Sequence, residues 1–215
     1  MSLPTVQVDI VSDVVCPWCY VGFRQLEQAL GQTGLGAIVR WHPFELNPDM
    51  GPEGQNLREH LMEKYGITVE QSQAARARLG AVGKEVGIDF RYSDDMRMVN
   101  TFAAHQLLDW AMEQNLQHPL KLALFRAYFT EGRDVSDIDV LVEVAQSVGL
   151  DPAEARQIIE SGSRAAETRE KLGTWIENGI TGVPAMIFGG KYLVTGAQGV
   201  ENYVKVLQRC AAEAA

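Results

Sequence analysis

The chain has 215 residues, three cysteines and a formal net charge of −9, because 28 acidic residues outnumber 19 basic ones. A chain of this length can bury a full hydrophobic core, so it needs neither disulfides nor a metal ion to fold. The acidic balance argues against a nucleic-acid or anionic-membrane surface, which needs clustered Lys and Arg. A small, odd number of cysteines argues against a secreted disulfide scaffold.

The N-terminal residues predict a β-strand and not a targeting signal. Arg24 is the first basic residue, and Asp9 and Asp13 interrupt the first apolar stretch, which is unlike a secretory signal. No stretch of the sequence is long and apolar enough to cross a bilayer. We therefore expect a cytoplasmic protein, in which a reactive cysteine pair is catalytic and not structural.

The first quarter of the chain predicts a strand, a helix and a second strand, in the βαβ order. A β-rich run covers residues 6–11, and apolar side chains recur at helical spacing through residues 20–30. A second β-rich run covers residues 37–41. Prolines and glycines between residues 43 and 56 leave no room for regular structure, so we predict a loop there.

The middle of the chain predicts a block of helices. Thr68 and Gln71 have the spacing of a capping box, and the helix that follows carries one apolar stripe. Ser136 is the predicted N-cap of a later helix, and Asp151, which precedes a proline, is the predicted N-cap of the next. The apolar stripe consists of Ala75, Leu79, Val82 and Val86.

The end of the chain predicts a helix over residues 163–177, then a β-hairpin and a terminal helix. An apolar run at residues 185–188 is followed by Gly189-Gly190, a hairpin turn signal. Residues 191–195 form the predicted returning strand, and apolar residues at helical spacing follow from Val200 onward.

The pair Cys16-Pro17-Trp18-Cys19 is the sharpest chemical signal in the sequence. At the start of a helix, unpaired N–H groups and the helix dipole stabilise a thiolate, so Cys16 is the predicted nucleophile. Cys19, one turn later and shielded, is the predicted resolving thiol. Pro17 suits the first helical turn, and Trp18 adds an apolar surface beside the sulfurs.

Two alternatives for the pair are half of a zinc site and a pair of inert buried thiols. Zinc needs two more ligands, and the sequence contains neither a second Cys-x-x-Cys nor a His pair at ligand spacing. We therefore expect no metal site. A Cys-x-x-Cys beside a βαβ pattern is typical of a thioredoxin-like redox centre, which disfavours inert thiols.

A second signal is Val183-Pro184, immediately before the late strand. A proline that opens a strand cannot donate a hydrogen bond to the sheet, and a Val-Pro bond in a tight turn is a candidate for the cis isomer. The alternative is an ordinary proline at the edge of a sheet.

Five segments occur in an order that resembles the DsbA-like branch of the thioredoxin superfamily, and within it the cytosolic FrnE-type proteins. They are Ser12-Asp13, Cys16-Pro17-Trp18-Cys19-Tyr20, Pro43-Phe44-Glu45-Leu46-Asn47-Pro48, Gly182-Val183-Pro184-Ala185 and Val194-Thr195-Gly196-Ala197-Gln198. The resemblance implies an α/β, thioredoxin-like fold with an inserted all-helical domain. The implied domains are a βαβ half at 1–56, the helical insert at 57–160 and a ββα half at 161–215.

The resemblance also implies a function: a thiol–disulfide oxidoreductase or isomerase that acts on protein or peptide disulfides. By this resemblance, Pro184 would be a cis-proline that packs opposite Cys16. The backbone of Val183 would then bind an extended substrate by strand addition, with Pro17 and Trp18 as further substrate contacts. We expect no bound cofactor, and glutathione or a thioredoxin as the reducing partner.

Two other functions remain open at this point. One is a glutathione-dependent isomerase or transferase, or a polyketide-tailoring enzyme, like the related kappa-type transferases and hydroxychromene-carboxylate isomerases. Those relatives carry a serine at the position of Cys16, whereas this chain keeps both cysteines, and Ser12 lies before the active-site helix. The other is a non-enzymatic binding or chaperone module.

Four further residues, one cysteine, two histidines and an asparagine, have predicted roles outside the Cys16–Cys19 pair. We expect Cys210 to be a buried bystander on the terminal helix. His42 is either a solvated loop residue or a cation near the Cys16 thiolate. His105 is expected to be a hydrogen-bonded packing residue, and Asn100 either a helix cap or a cleft residue.

Overall fold

The computed structural model describes residues 5–214 of the chain. In chain order the elements are β1 (Thr5–Ser12), α1 (Pro17–Thr33), β2 (Gly36–Pro43), β3 (Gln55–Asn56), α2 (Leu57–Tyr65), α3 (Val69–Glu85), β4 (Arg97–Met98), α4 (Phe102–Glu113), α5 (Gln117–Phe129), α6 (Ile138–Ser147), α7 (Pro152–Ser161), α8 (Ala165–Glu177), β5 (Ala185–Phe188), β6 (Tyr192–Thr195) and α9 (Val200–Ala214). This is the mixed α/β order that the sequence predicts.

The described chain forms two compact units. The sheet unit comprises residues 5–46 and 169–214, and the helical unit comprises residues 47–168. The sequence places these boundaries after residues 56 and 160. The first differs because β3 pairs with β4, where Gln55 lies opposite Met98 within the helical unit. The second differs because Arg164 forms ion pairs with Glu113 and Asp109 of α4.

The sheet unit is built on a four-stranded sheet in the order β2-β1-β5-β6. β1 is parallel to β2 and antiparallel to β5, and β6 returns antiparallel to β5. Val8 and Ile10 of β1 are fully buried, whereas Asp9 between them is only half-buried, as the two-residue period of a strand requires.

Helices α1 and α9 pack against each other and against the sheet. Phe23 of α1 contacts Trp41 of β2, with ring centroids 5.3 Å apart. Phe188 of β5 contacts Tyr203 of α9, with ring centroids 5.9 Å apart. The first contact links the sheet to α1 one turn after Cys19, and the second links the sheet to α9.

The β5–β6 hairpin confirms the turn predicted from Gly189-Gly190. Both glycines have positive φ angles, 57° and 67°, which a type I′ hairpin turn requires. The backbone N–H of Lys191 donates to the carbonyl of Phe188 at 3.0 Å and closes the turn.

The helical unit confirms most of the predicted helix ends. Thr68 and Gln71 form the reciprocal capping box of α3, and Asp151 accepts a hydrogen bond from the Glu154 N–H at the start of α7. The predicted N-cap Ser136 is wrong, because the side chain of Asp137 caps α6 instead.

Two further expectations for the helical unit hold only in part. Residues 43–56 are not all loop, since Pro43 ends β2 and β3 lies at the end of the segment. The predicted apolar stripe of α3 is buried only at its C-terminal end. Ala75 is exposed, Leu79 and Val82 are half-buried, and Val86, the C-cap, is buried. The core of the unit lies mainly on α4 and α5, whose side chains are mostly buried.

None of the helices in residues 5–214 has the length and apolar character needed to span a membrane.

Candidate active site

Cys16 occupies the N-cap of α1, and Pro17 takes the first helical position. The Cys16 N–H donates to the carbonyl of Asp13 at 3.3 Å, and the Cys19 N–H donates to the carbonyl of Cys16 at 3.1 Å. The chain therefore turns directly from β1 into the helix and places the two thiols within one turn. Both are reduced, and they form a hydrogen bond with each other.

The turn at Val183-Pro184 lies opposite Cys16. The peptide bond between these two residues is cis, and the Cys16 Sγ lies 3.7 Å from the carbonyl oxygen of Val183, within range of a weak S–H···O hydrogen bond. Pro184 is buried and Val183 is half-buried. Val183 also packs against a small apolar cluster that includes Val11 and Phe44.

The two thiols differ in their access to solvent. Cys19 is 0% exposed, whereas Cys16 keeps 3% of its surface. Pro17, Trp18 and Val183 beside it are all partly exposed. Both cysteines are buried, and what little surface the pair keeps belongs to Cys16.

The predicted stabilisation of the Cys16 thiolate is wrong for this reduced pair. Burial raises the pKa of the Cys16 thiol well above its usual value, and the hydrogen bond and charge of Cys19 act in the same direction. The backbone N–H of Cys19 lowers the pKa of Cys16 but does not outweigh burial, and the charge of Asp13 raises it further. Burial of the Cys16 thiol is therefore the largest of the effects that set the direction of its pKa.

Asp13 is a site residue whose role the sequence did not predict. Its side chain is fully buried, three residues before Cys16. Its Oδ2 accepts a hydrogen bond from the backbone N–H of Leu46 at 2.8 Å, which ties the turn after β1 to the segment after β2. The available signal was an acidic residue between an apolar strand and a Val-Val pair, a place where an apolar residue would be expected.

His42 is neither a solvated loop residue nor a cation beside the nucleophile. It lies in β2, where its Nε2 is 2.8 Å from Oδ1 of Asp9, and its ring packs against Trp175 with centroids 4.6 Å apart. Burial lowers the pKa of His42 despite the opposing effect of Asp9. Gln7 donates to the other oxygen of Asp9 at 2.7 Å. These residues form a polar row along one face of the sheet.

The other residues singled out from the sequence lie elsewhere. Cys210 is half-buried on α9, so its expected full burial is wrong, and burial raises the pKa of its thiol. His105 is buried in α4. Asn100 lies one residue before Thr101, the N-cap of α4; its side chain accepts from the Phe102 N–H at 2.9 Å and donates to the Met50 carbonyl at 2.9 Å. Residues 5–214 contain no group of three or more His, Cys, Asp or Glu side chains suited to a metal ion.

Comparisons with known proteins show how this arrangement relates to others. A probable DsbA oxidoreductase from Streptomyces coelicolor is 34% identical, with a TM-score of 0.90 over 97% of this chain and 91% of that one. A 2-hydroxychromene-2-carboxylate isomerase is 16% identical, with a TM-score of 0.73 over 97% and 98% of the two chains. The cytosolic disulfide reductase DsbM from Pseudomonas aeruginosa, solved with GSH, is 18% identical, with a TM-score of 0.64 over 94% and 98%.

The similarity to the isomerase and to DsbM, at 16% and 18% identity, shows a shared fold only. A family model extends the relationship from fold to sequence, because the model of the DSBA-like thioredoxin domain matches residues 7–208. That match contains both cysteines and the Val183-Pro184 turn. The chain therefore belongs to the DSBA-like thioredoxin family.

Proposed function

We propose that this protein is a thiol–disulfide oxidoreductase that exchanges disulfides with protein or peptide substrates. The observation that carries the proposal is the position of Cys16, which lies at the N-cap of α1 with its sulfur 3.7 Å from the Val183 carbonyl. Cys16 is the nucleophile and Cys19 is the resolving thiol. The difference in exposure supports these roles, since Cys19 has no surface through which to meet an external disulfide.

In the first step, Cys16 gives up its proton and its thiolate attacks one sulfur of the substrate disulfide. The substrate S–S bond breaks, and its second sulfur leaves as a thiolate that takes up a proton. In the second step, Cys19 is deprotonated and attacks the Cys16 sulfur of the mixed disulfide. The first substrate sulfur then leaves as a thiol, so the substrate is reduced by two electrons and the enzyme holds a Cys16–Cys19 disulfide.

The direction that we favour is reduction or isomerisation. A strongly oxidising centre needs a reduced state that is stabilised as a thiolate. Burial, which raises the pKa of Cys16, has the opposite effect. Two glutathione molecules, or the dithiol of a thioredoxin, would return the pair to the reduced state. Glutathione is then a co-substrate and not a bound cofactor. The likeness to Pseudomonas aeruginosa DsbM, a disulfide reductase solved with GSH, supports this choice.

For the substrate, we infer an extended peptide that lies along the Val183-Pro184 turn. The Val183 carbonyl would exchange its contact with the Cys16 thiol for a backbone N–H of the peptide, which is a strand-addition mode. Pro17 and Trp18, which follow Cys16 in the chain, are partly exposed and offer apolar contacts. The chain's net charge of −9 disfavours nucleic acids and anionic membranes as partners.

We further propose a cytoplasmic, FrnE-type member of the family. The support is the motif set around Cys16 and Val183-Pro184, together with the fold shared with DsbM, a cytosolic disulfide reductase.

The test is reduction of insulin disulfides with glutathione as the electron source. We expect Cys16→Ser to reduce the rate to the uncatalysed background and Cys19→Ser to abolish sustained turnover. Cys210→Ser is the matched control and is expected to equal the wild type. A Cys16→Ser variant that kept the full rate would refute the proposal.

A small-molecule activity is the second candidate, favoured by the fold shared with 2-hydroxychromene-2-carboxylate isomerase. Unlike disulfide exchange, such an activity would not need Cys19 as a resolving thiol. Glutathione-dependent turnover of an aromatic substrate that survives Cys19→Ser would support it over disulfide exchange.

A further inference from the structure

Tyr203 carries a buried hydroxyl that the proposed chemistry does not use. The residue is 0% exposed on α9, and its OH donates to the carbonyl of Gly196 at 3.1 Å. Burial raises the pKa of Tyr203 to about 12, so the hydroxyl remains a proton donor at neutral pH. A tyrosine in an apolar core needs such a hydrogen-bond partner for its OH. In this protein the partner, Gly196, is itself hydrogen-bonded to the active-site turn at Pro184.

Two consecutive hydrogen bonds connect this hydroxyl to the turn that faces Cys16. Tyr203 donates to the carbonyl of Gly196, and the N–H of the same Gly196 donates to the carbonyl of Pro184 at 2.7 Å. The Val183 carbonyl, one peptide earlier, is the acceptor 3.7 Å from the Cys16 sulfur. The position of the Val183-Pro184 turn is therefore coupled to the position of Gly196.

The helix that carries the cysteines approaches the same group of atoms. Gly22 lies one turn after Cys19, and a Cβ there would lie 3.3 Å from the Tyr203 hydroxyl oxygen and 3.3 Å from Cγ of Pro184. Contacts this close are tighter than an ordinary van der Waals separation. Because residue 22 has no side chain, α1 can touch Tyr203 and Pro184 at once.

We propose that Tyr203 is a positioning residue, whose hydroxyl fixes the Val183-Pro184 turn at its working separation from Cys16. This inference rests on the proposed disulfide exchange and adds a residue to its machinery. The proposed role of Tyr203 requires no contact with the substrate or with the attacking sulfur of Cys16. It acts through Gly196 and Pro184 on the carbonyl that would bind an extended peptide.

Tyr203→Phe is the direct test, because it removes only the hydroxyl and keeps the ring against Phe188. The substrate is a peptide disulfide whose reduction to the dithiol can be followed. We expect KM to rise about fivefold, the equivalent of one lost hydrogen bond, with little change in kcat. A looser turn also weakens the bond from the Cys16 thiol to Val183. The pH profile of Cys16 alkylation should therefore move to lower pH.

Tyr192→Phe is the matched control, since this tyrosine lies on β6 and its hydroxyl bonds to Glu213 outside the turn. It is expected to leave both readouts unchanged. If Tyr203→Phe lowers the melting temperature but leaves KM and the alkylation profile at the wild-type values, Tyr203 is only a core residue and the inference is overturned.

Gly22→Ala tests the same contact from the helix side. The added methyl group would lie 3.2 Å from Cε of Met186, whose side chain is flexible, and 3.3 Å from both the Tyr203 oxygen and the Pro184 ring, so KM should rise in this variant too. In the double variant with Tyr203→Phe the increase should be smaller than the product of the two single effects, because one of the crowded atoms is gone. Simple additivity would contradict a shared contact. If Tyr203→Phe does not fold, Gly22→Ala takes its place, and an unchanged KM in that variant would then overturn the inference.

The alkylation profile needs no substrate, so it separates the two claims. A wild-type protein that reduces no disulfide, but whose alkylation profile moves in Tyr203→Phe, refutes the proposed function and leaves the positioning role standing.

Discussion

The sulfur of Cys16 lies 3.7 Å from the carbonyl oxygen of Val183, although 167 positions separate the two residues in the chain. The sheet produces this proximity, because β1 pairs with β5 in a register that places Val11 opposite Ala185. The end of β1 therefore leads to Cys16 beside the turn from which β5 begins. The Cys16 thiol donates to the carbonyl that a peptide would use in the proposed binding mode, so binding of the peptide would release the Cys16 thiol.

Asp13→Asn should make Cys16 more acidic. The charge of Asp13 raises the pKa of Cys16, and an asparagine removes that charge while keeping an oxygen for the Leu46 N–H. The rate of iodoacetamide alkylation at Cys16, followed by mass spectrometry against pH, should rise at lower pH than in the wild type. Removal of the acceptor as well, in Asp13→Ala, should cost about 1–3 kcal/mol of stability. An Asp13→Asn profile that is superimposable on the wild type would show that the carboxylate acts only as a structural anchor.

His42→Gln should make the protein less sensitive to acid. The pKa of His42 is lowered in the folded state, so the unfolded chain binds the extra proton first. The contribution of neutral His42 is present above about pH 6.5, the unfolded value, and is lost as the pH falls through the folded pKa. The slope is at most about 1.4 kcal/mol per pH unit for one proton.

The measurement is the urea midpoint of wild type and His42→Gln at several pH values between 7 and 5. His60 and His118 also have lowered pKa values but are present in both proteins. The wild type should lose more stability than the variant over this range. An equal loss, or a smaller loss in the wild type, would mean that the pair with Asp9 outweighs burial.

Two glycines of α3 should respond to alanine in opposite ways. A Cβ at Gly80 would meet no heavy atom of the described residues within 4 Å, whereas a Cβ at Gly83 would lie 2.5 Å from Cδ2 of Phe90. Gly80→Ala should therefore stabilise the protein by up to about 1 kcal/mol through helix propensity. Gly83→Ala should lose more than this gain, about 1–3 kcal/mol, through overpacking. Thermal unfolding of the two variants checks the sign, and stabilisation by both would show that Phe90 simply moves aside.

The element order could be predicted from the sequence because its signals are local. The strand starts, the capping box at Thr68 and the turn at Gly189-Gly190 each depend on a few neighbouring residues. The predictions failed for elements whose packing or pairing partner is distant in the sequence. β3 exists only because it pairs with β4, some forty residues later. The stripe of α3 is helical in period, but it starts at the exposed Ala75 and is buried only at Val86.

The candidate site divides in the same way. Cys16 and Cys19 stand out from their spacing, and Val183-Pro184 from a proline before a strand. The raised pKa of Cys16 could not be predicted, because burial of a residue near a helix start depends on the whole tertiary structure. The same holds for Tyr203, which has no motif of its own and gains its place through Gly196 and Gly22.

The most direct test of disulfide exchange is to trap the mixed disulfide. Cys19→Ser lacks the resolving thiol, so its reaction with a peptide disulfide should stop after the first step. We expect intact-mass and peptide mapping to find one peptide joined to Cys16 in high yield, with none on Cys210 and none in Cys16→Ser. A Cys19→Ser protein that forms no adduct at Cys16, while the wild type still turns over substrate, would contradict the account.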